Sequence, residues 1–198
     1  EETGARLHIR QVTTAAGFDL VRAAKRRGVR VTCGISPAHL HLSDIATTDF
    51  RTFARLSPPL RSESDRQAAL TAVADGTIDV IASGHDPHGP EEKRLPFVDA
   101  APGMAGAETL LPLALMLVRD ERLSLPKLFE KLAANPARIL GLDTGTLEAG
   151  KPADLLLFDA GAPWQIIGDR FASAGNTPFD GLPVQGKALR LWKAGREI

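Results

Sequence analysis

The feature that most restricts the fold of this chain is the alternation of strand-like and helix-like segments through its first 140 residues. Leu7-His8-Ile9-Arg10-Gln11-Val12 alternates apolar and polar side chains, the period of a strand. From Gly17 to Arg27, Phe18, Leu20, Val21 and Ala24 mark one helical face, and Gly28 stops it. Val29-Arg30-Val31-Thr32-Cys33-Gly34-Ile35 is a second strand, rich in β-branched residues. A loop is expected from Pro37 to Pro58-Pro59. Ser62 then caps a helix with Asp65 three residues on, an acidic variant of the capping box, and the helix runs to Asp75 before Gly76. Ile78-Asp79-Val80-Ile81-Ala82-Ser83 is the third strand, and a polar loop follows from Gly84 to Gly103. Helices are expected from Ala105 to Val118, after Ser124 with Pro126 in the first turn, and as a short turn at Pro136–Leu140. Strand-helix repeats of this kind build a parallel α/β sheet.

After Gly141 the texture changes. Glycine and proline punctuate short apolar runs, with strand candidates at Leu155-Leu156-Leu157-Phe158 and Ala188-Leu189-Arg190-Leu191-Trp192. Ala194-Gly195 reads as a hairpin turn into Arg196-Glu197-Ile198. The expected organisation is therefore an α/β domain over 1–140 and a small β subdomain with the C-terminal tail over 141–198.

Composition limits the function classes. The 24 basic and 24 acidic side chains cancel, which argues against a polybasic nucleic-acid or membrane-surface binder. One cysteine excludes an intrachain disulfide framework and a CxxC zinc knuckle, and Cys33 is expected in the core. No apolar run reaches the roughly 18 residues of a membrane span, and no signal-peptide pattern opens the sequence, so a cytoplasmic location is expected. Lys25-Arg26-Arg27 reads as a solvated helix end that suits the helix dipole. Glu1-Glu2-Thr3-Gly4 reads as the last turn of a helix with Gly4 just beyond it, as though the sequence opened in mid-fold.

Ligands of parallel α/β folds bind at the carboxyl ends of strands. Here those ends are Gln11-Val12-Thr13-Thr14, Ser36-Pro37-Ala38-His39 with His41 just after, and Ser83-Gly84-His85-Asp86-Pro87-His88. Four of the five histidines lie there, which fits a functional site and also fits polar surface loops. His85, Asp86 and His88 are metal-type ligands, but catalytic zinc needs three ligands converging from separate elements. No HExxH, GxSxG, P-loop or post-strand GxGxxG is present.

Several segments together resemble the C-terminal portion of a dihydroorotase of the amidohydrolase superfamily. They are LHIRQVTTAAG (7–17), VTCGISPAHLHL (31–42), SPPLRSESD (57–65), DGTIDVIASGHDPHGPEEK (75–93), PGMAGAETLL (102–111), NPARILGLDTGTLEAGKPADLLLFD (135–159) and NTPFDG (176–181). The resemblance implies a TIM-like (β/α)8 barrel of which this chain carries the sixth to eighth strands, followed by a β subdomain. It also implies that two metal positions are changed. The second His of the family's HIxHVST is Gln11 here, and the metal-binding, proton-shuttling Asp of DHAPH is Gly84. An amide is a poor zinc ligand and glycine offers none. The family asparagine before PPLR is Ser57, while His88, Pro102 and Gly103 match substrate-side positions. Arg61, Lys93 and the NTPF block are expected to maintain the fold.

The resemblance thus implies a non-catalytic dihydroorotase-like protein of pyrimidine biosynthesis, without catalytic metal and with a structural role beside aspartate carbamoyltransferase. The alternative is an active dihydroorotase or other cyclic amidohydrolase that hydrolyses the ring amide. Zinc would then be held by His85, Asp86 or His88 together with an N-terminal half. Half a barrel would need cover from such a half, from a second copy or from a partner, through contacts set by shape and apolar area.

Overall fold

The computed structural model describes residues 2–198. The expected helix end at Glu1–Gly4 starts outside the described residues; Glu2 and Thr3 form a turn and Gly4 has φ +60°. The elements that follow are β1 (Leu7–Ile9), α1 (Ala15–Arg26), β2 (Val31–Ile35), α2 (Pro37–His41), α3 (Glu63–Ala74), β3 (Val80–Ile81) and α4 (Pro90–Lys93). The three strands form one parallel sheet in the order β1-β2-β3, with Leu7 opposite Val31 and Gly34 opposite Val80.

The strands are shorter than the sequence predicts, but single bonds extend the pairing past their ends. Val12 N–H donates to Gly34 O at 3.0 Å, and Ala82 N–H donates to Ile35 O at 2.9 Å. Gly34 is needed for this approach, because a Cβ there would stand 2.8 Å from Arg10 O. Phe18 of α1, Ile35 of β2, Leu40 of α2 and Ile81 of β3 are among the fully buried side chains. Cys33 is buried as expected, with its thiol donating to Thr77 O.

Three local expectations are corrected. The segments expected as loops contain α2, α4 and short 3₁₀ turns at Asp44–Thr47 and Thr52–Ala54. Both α2 and α4 carry proline in the first turn, which starts helices as readily as it marks loops. Ser62 caps α3 as expected, its hydroxyl accepting the Asp65 N–H at 3.3 Å, but the Asp65 carboxylate is engaged differently from a capping box. It accepts the Ser62 hydroxyl at 3.0 Å and the Ala15 N–H at 2.8 Å, joining the starts of α1 and α3. Lys25 is not simply solvated. Its ammonium donates to both oxygens of Asp79 and to Thr77 O, all at 2.8 Å, while Asp79 also accepts the Cys33 N–H.

Contacts divide the described residues into two compact units. The first holds the residues through Leu110 together with Ile166–Leu182. The second holds Leu111–Gln165 and Pro183–Ile198. It contains all but the first residue of α5 (Leu110–Arg119), then α6 (Leu125–Phe129) and α7 (Asn135–Leu140), joined by a wide helical turn at Glu130–Ala134. The helix expected from Ala105 thus begins at Leu110. Gly141 ends α7 with φ +68°, where a left-handed residue closes a helix. An antiparallel ribbon follows, β4 (Leu155–Gln165), β5 (Pro183–Lys193) and β6 (Arg196–Glu197), longer than the predicted runs. Ala194 and Gly195 have φ 49° and 81°, the paired positive values of a type I′ hairpin. No helix among the described residues is long and apolar enough to cross a membrane.

Lys25→Met removes a charged hydrogen-bond donor while Asp79 stays largely covered. Its expected cost is about 2 kcal/mol, read as a lower urea midpoint at unchanged slope. An unmoved midpoint would return Lys25 to the solvated surface.

Candidate functional site

Parallel pairing brings the carboxyl ends of β1, β2 and β3 to one rim. A cavity of about 360 Å³ opens there in the first unit. Gln11, Ser36, His39, Ser57, Gly84, His85, Asp86 and Gly103 line it, beside Arg10, Ser83 and Met104. Of the residues expected at a site, Gln11, Ser57, Gly84, His85, Asp86 and Gly103 therefore share one cavity. His88 and Pro102 are not in its wall.

Gln11 and Gly84 meet in space. Gly84 has φ +62°, a conformation that disfavours side chains. A Cβ placed on it would stand 3.0 Å from Ser36 Cβ, 3.4 Å from Ser36 Oγ and 3.6 Å from Gln11 Nε2. Ser36, at the end of β2, thus sits beside the bare face of Gly84, with the Gln11 carboxamide close to the same point.

The histidines have defined duties. His85 Nδ1 accepts the N–H groups of Gly106 and Ala107, both at 3.2 Å, so this lone pair is occupied. His88 Nε2 donates to Pro102 O at 3.2 Å, and its Nδ1 lies 3.3 Å from a Glu92 oxygen. Asp86 stands 3.7 Å from His88 Nε2. Among the described residues no three His, Cys, Asp or Glu side chains come together to hold a metal. With an amide at 11 and no side chain at 84, the donors of this chain do not fit a zinc centre of three protein ligands.

His39 is buried between two partners. Its Nε2 lies 3.0 Å from Pro58 O, a carbonyl that can only accept, so the proton is on Nε2. Its Nδ1 therefore accepts the Ser36 hydroxyl at 2.8 Å. Burial pushes the imidazole below its ordinary pKa; the Pro58 carbonyl pulls it up and the Arg61 charge adds to the lowering. This pair was missed as a unit in the sequence. The signal was Ser36 followed three residues later by His39, directly after a strand.

Two buried groups hold the loops of the rim. The Asn176 side chain accepts the His88 N–H at 3.0 Å and donates to Gly103 O at 3.2 Å. The Lys93 ammonium, only 2% exposed as a residue, donates to Ala101 O at 2.7 Å and Thr52 O at 3.1 Å. Arg61 bonds Thr13 Oγ1 at 3.2 Å.

The model of the Amidohydrolase family matches residues 6–198. Over its whole length the chain is 46% identical to a dihydroorotase from Desulforapulum autotrophicum, covering 46% of that protein. It is 42% identical to one from Anaplasma phagocytophilum, covering 44% of it. The chain thus spans about half the length of the curated relatives it matches. Among solved structures, an L-hydantoinase (dihydropyrimidinase) from Arthrobacter aurescens superposes with TM-score 0.93 at 31% identity, over 100% of this chain and 45% of its own. The inactive dihydroorotase-like domain of a Chaetomium thermophilum CAD-like multifunctional protein superposes with TM-score 0.75 over 99% of this chain and 52% of its own. At 22% identity that likeness shows the fold alone.

Gly84→Asp forces a side chain into left-handed backbone against Ser36. It is expected to destabilise the protein by about 2 kcal/mol, measured by chemical denaturation. Lys93 supplies a second prediction. Burial, reinforced by Arg55, pushes its pKa down to about 8. Between there and the unfolded value of about 10.4, the unfolded chain binds a proton that the folded chain does not, so stability rises with pH. Urea midpoints at about pH 7 and about pH 9.5 should show this rise in the unaltered protein and lose this part of it in Lys93→Met.

Proposed function

The chain belongs to the amidohydrolase family, and from this premise we propose that it is a dihydroorotase-like protein of pyrimidine biosynthesis without catalytic metal. In this reading β1, β2 and β3 are the sixth to eighth strands of a (β/α)8 barrel. Residues 1–140 form the barrel part, and residues 141–198 form the β subdomain and tail. The similarity to dihydroorotases along all of this chain, over about half of their length, supports the assignment to this branch.

The observation that carries the non-catalytic reading is the meeting of Gln11 and Gly84 at one cavity. The first offers a neutral amide and the second a left-handed backbone with Ser36 against it. Hydrolysis of a ring amide at a metal centre needs a metal-generated hydroxide and a Lewis acid on the carbonyl. A lost general base alone removes about 10²–10⁴-fold. Ser57, His88, Pro102 and Gly103 then form a vestigial substrate side. The contacts of His88 with Pro102 and Glu92 give it a loop-holding duty.

Without chemistry of its own on dihydroorotate, the protein acts as a structural partner of aspartate carbamoyltransferase in the cytoplasm. The outer edge of β1 carries an apolar groove of about 490 Å³ lined by Leu7, Ile9, Val12, Leu20, Val21 and Val31. In this reading an N-terminal barrel half or a second copy covers it.

Metal analysis and a dihydroorotate assay test the proposal. The purified protein should carry substoichiometric zinc and show no turnover. Stoichiometric zinc with turnover that disappears in the His85→Ala, His88→Ala double variant would establish the active amidohydrolase instead.

A further inference from the structure

We propose that Ser36 is a nucleophile activated by His39, able to cleave small carboxylic esters by acyl transfer. The inference goes beyond the dihydroorotase-like reading and shares with it only the premise that no metal fills the cavity.

The geometry has three parts. The first is the hydrogen-bond chain: Pro58 O accepts from His39 Nε2 at 3.0 Å, and His39 Nδ1 accepts from Ser36 Oγ at 2.8 Å. It has the order of a nucleophile, base and orienting acceptor, with a backbone carbonyl in the third role. The second is that the hydroxyl has no competing structural duty. Ser36 is the residue preceding α2, where a serine side chain ordinarily accepts a backbone N–H, but it makes no such capping bond. The third is space. Ser36, His39, Gln11 and Gly84 share the wall of the cavity of about 360 Å³, and an ideal Cβ on Gly84 would lie 3.4 Å from Ser36 Oγ and 3.6 Å from Gln11 Nε2, so the hydroxyl and the amide border the same bare stretch of that wall. A carbonyl carbon in the cavity in front of Gly84, at van der Waals distance from its Cα, faces the Ser36 hydroxyl. Its oxygen can turn toward the Gln11 amide, a donor of the kind that stabilises an oxyanion.

The steps balance. Ser36 Oγ bonds to the carbonyl carbon and its proton passes to His39 Nδ1. The carbon–oxygen bond to the alcohol then breaks, and the leaving oxygen takes that proton. Water attacks the acyl-serine, again giving its proton to His39, and the acid departs as Ser36 regains its hydrogen. The absence of a side chain at 84 is what leaves the carbonyl site open, and Gln11 gains a purpose that a poor metal ligand lacks.

The test uses the full chain in EDTA, which removes any contribution from metal. A fluorophosphonate probe should add one phosphonyl group, mapped to Ser36 by peptide mass spectrometry. 4-Nitrophenyl acetate should be hydrolysed with an initial acyl burst, and Ser36→Ala should lose both signals. Gln11→Leu should slow acetate turnover about 100-fold, while its circular dichroism and melting stay those of the unaltered protein. The labelling rate should fall in acid as His39 takes a proton; the charged group acting on that imidazole is Arg61. Folded protein that is not labelled at Ser36 overturns the proposal. So does a labelling rate that is flat through the histidine range, or a rate in His39→Gln equal to that of the unaltered chain.

Discussion

Parallel pairing of β1, β2 and β3 is the constraint on which the first unit depends. Neighbouring parallel strands can be connected only by a crossover, and a crossover returns the chain to the same starting edge. All three carboxyl ends therefore reach one rim, and residues as distant as Gln11 and Gly84 become neighbours. The crossovers are held by charge as well as by packing. Lys25 fastens the end of α1 to the approach to β3, and Asp65 fastens the start of α1 to the start of α3. Asp79 carries the tie into the sheet by accepting the Cys33 N–H.

The rim built in this way is unusual in its chemistry. Apart from Asp86 and Arg10, the polar groups that line it are hydroxyls, imidazoles and a carboxamide. Such groups bind polar ligands through hydrogen bonds and move protons. The surrounding loops are not loose. Lys93 and Asn176 bind backbone carbonyls and N–H groups from separate segments, so the rim is set by buried polar contacts as well as by the sheet.

Much of this was legible in the sequence. The strand and helix segments of the first 140 residues announced themselves by period and by stopping glycines such as Gly28, Gly76 and Gly141. Gln11 and Gly84 stood out once the resemblance supplied a pattern to compare. The remainder was hidden for physical reasons. Lys25 obeys the helix-dipole rule locally, while its carboxylate partner lies 54 residues away. Asp65 satisfies a capping pattern, but the donor it takes is 50 residues back, at Ala15. The helices α2 and α4 are only five and four residues long, too short to show a period. Expected strand ends at Val12 and Ser83 overshot the regular strands, because beyond Ile9 and Ile81 the pairing continues only through single bonds from Val12 and Ala82.

The Ser36–His39 contact spans three residues, whereas Gln11 and Gly84 follow the two outer strands of the sheet. A pair so close in sequence needs only one turn of chain to form and pays little loop-closure entropy. Chemistry stored at such short range is modular. It does not depend on residues from distant strands, and any chain that keeps this one strand and the turn after it keeps the pair whole.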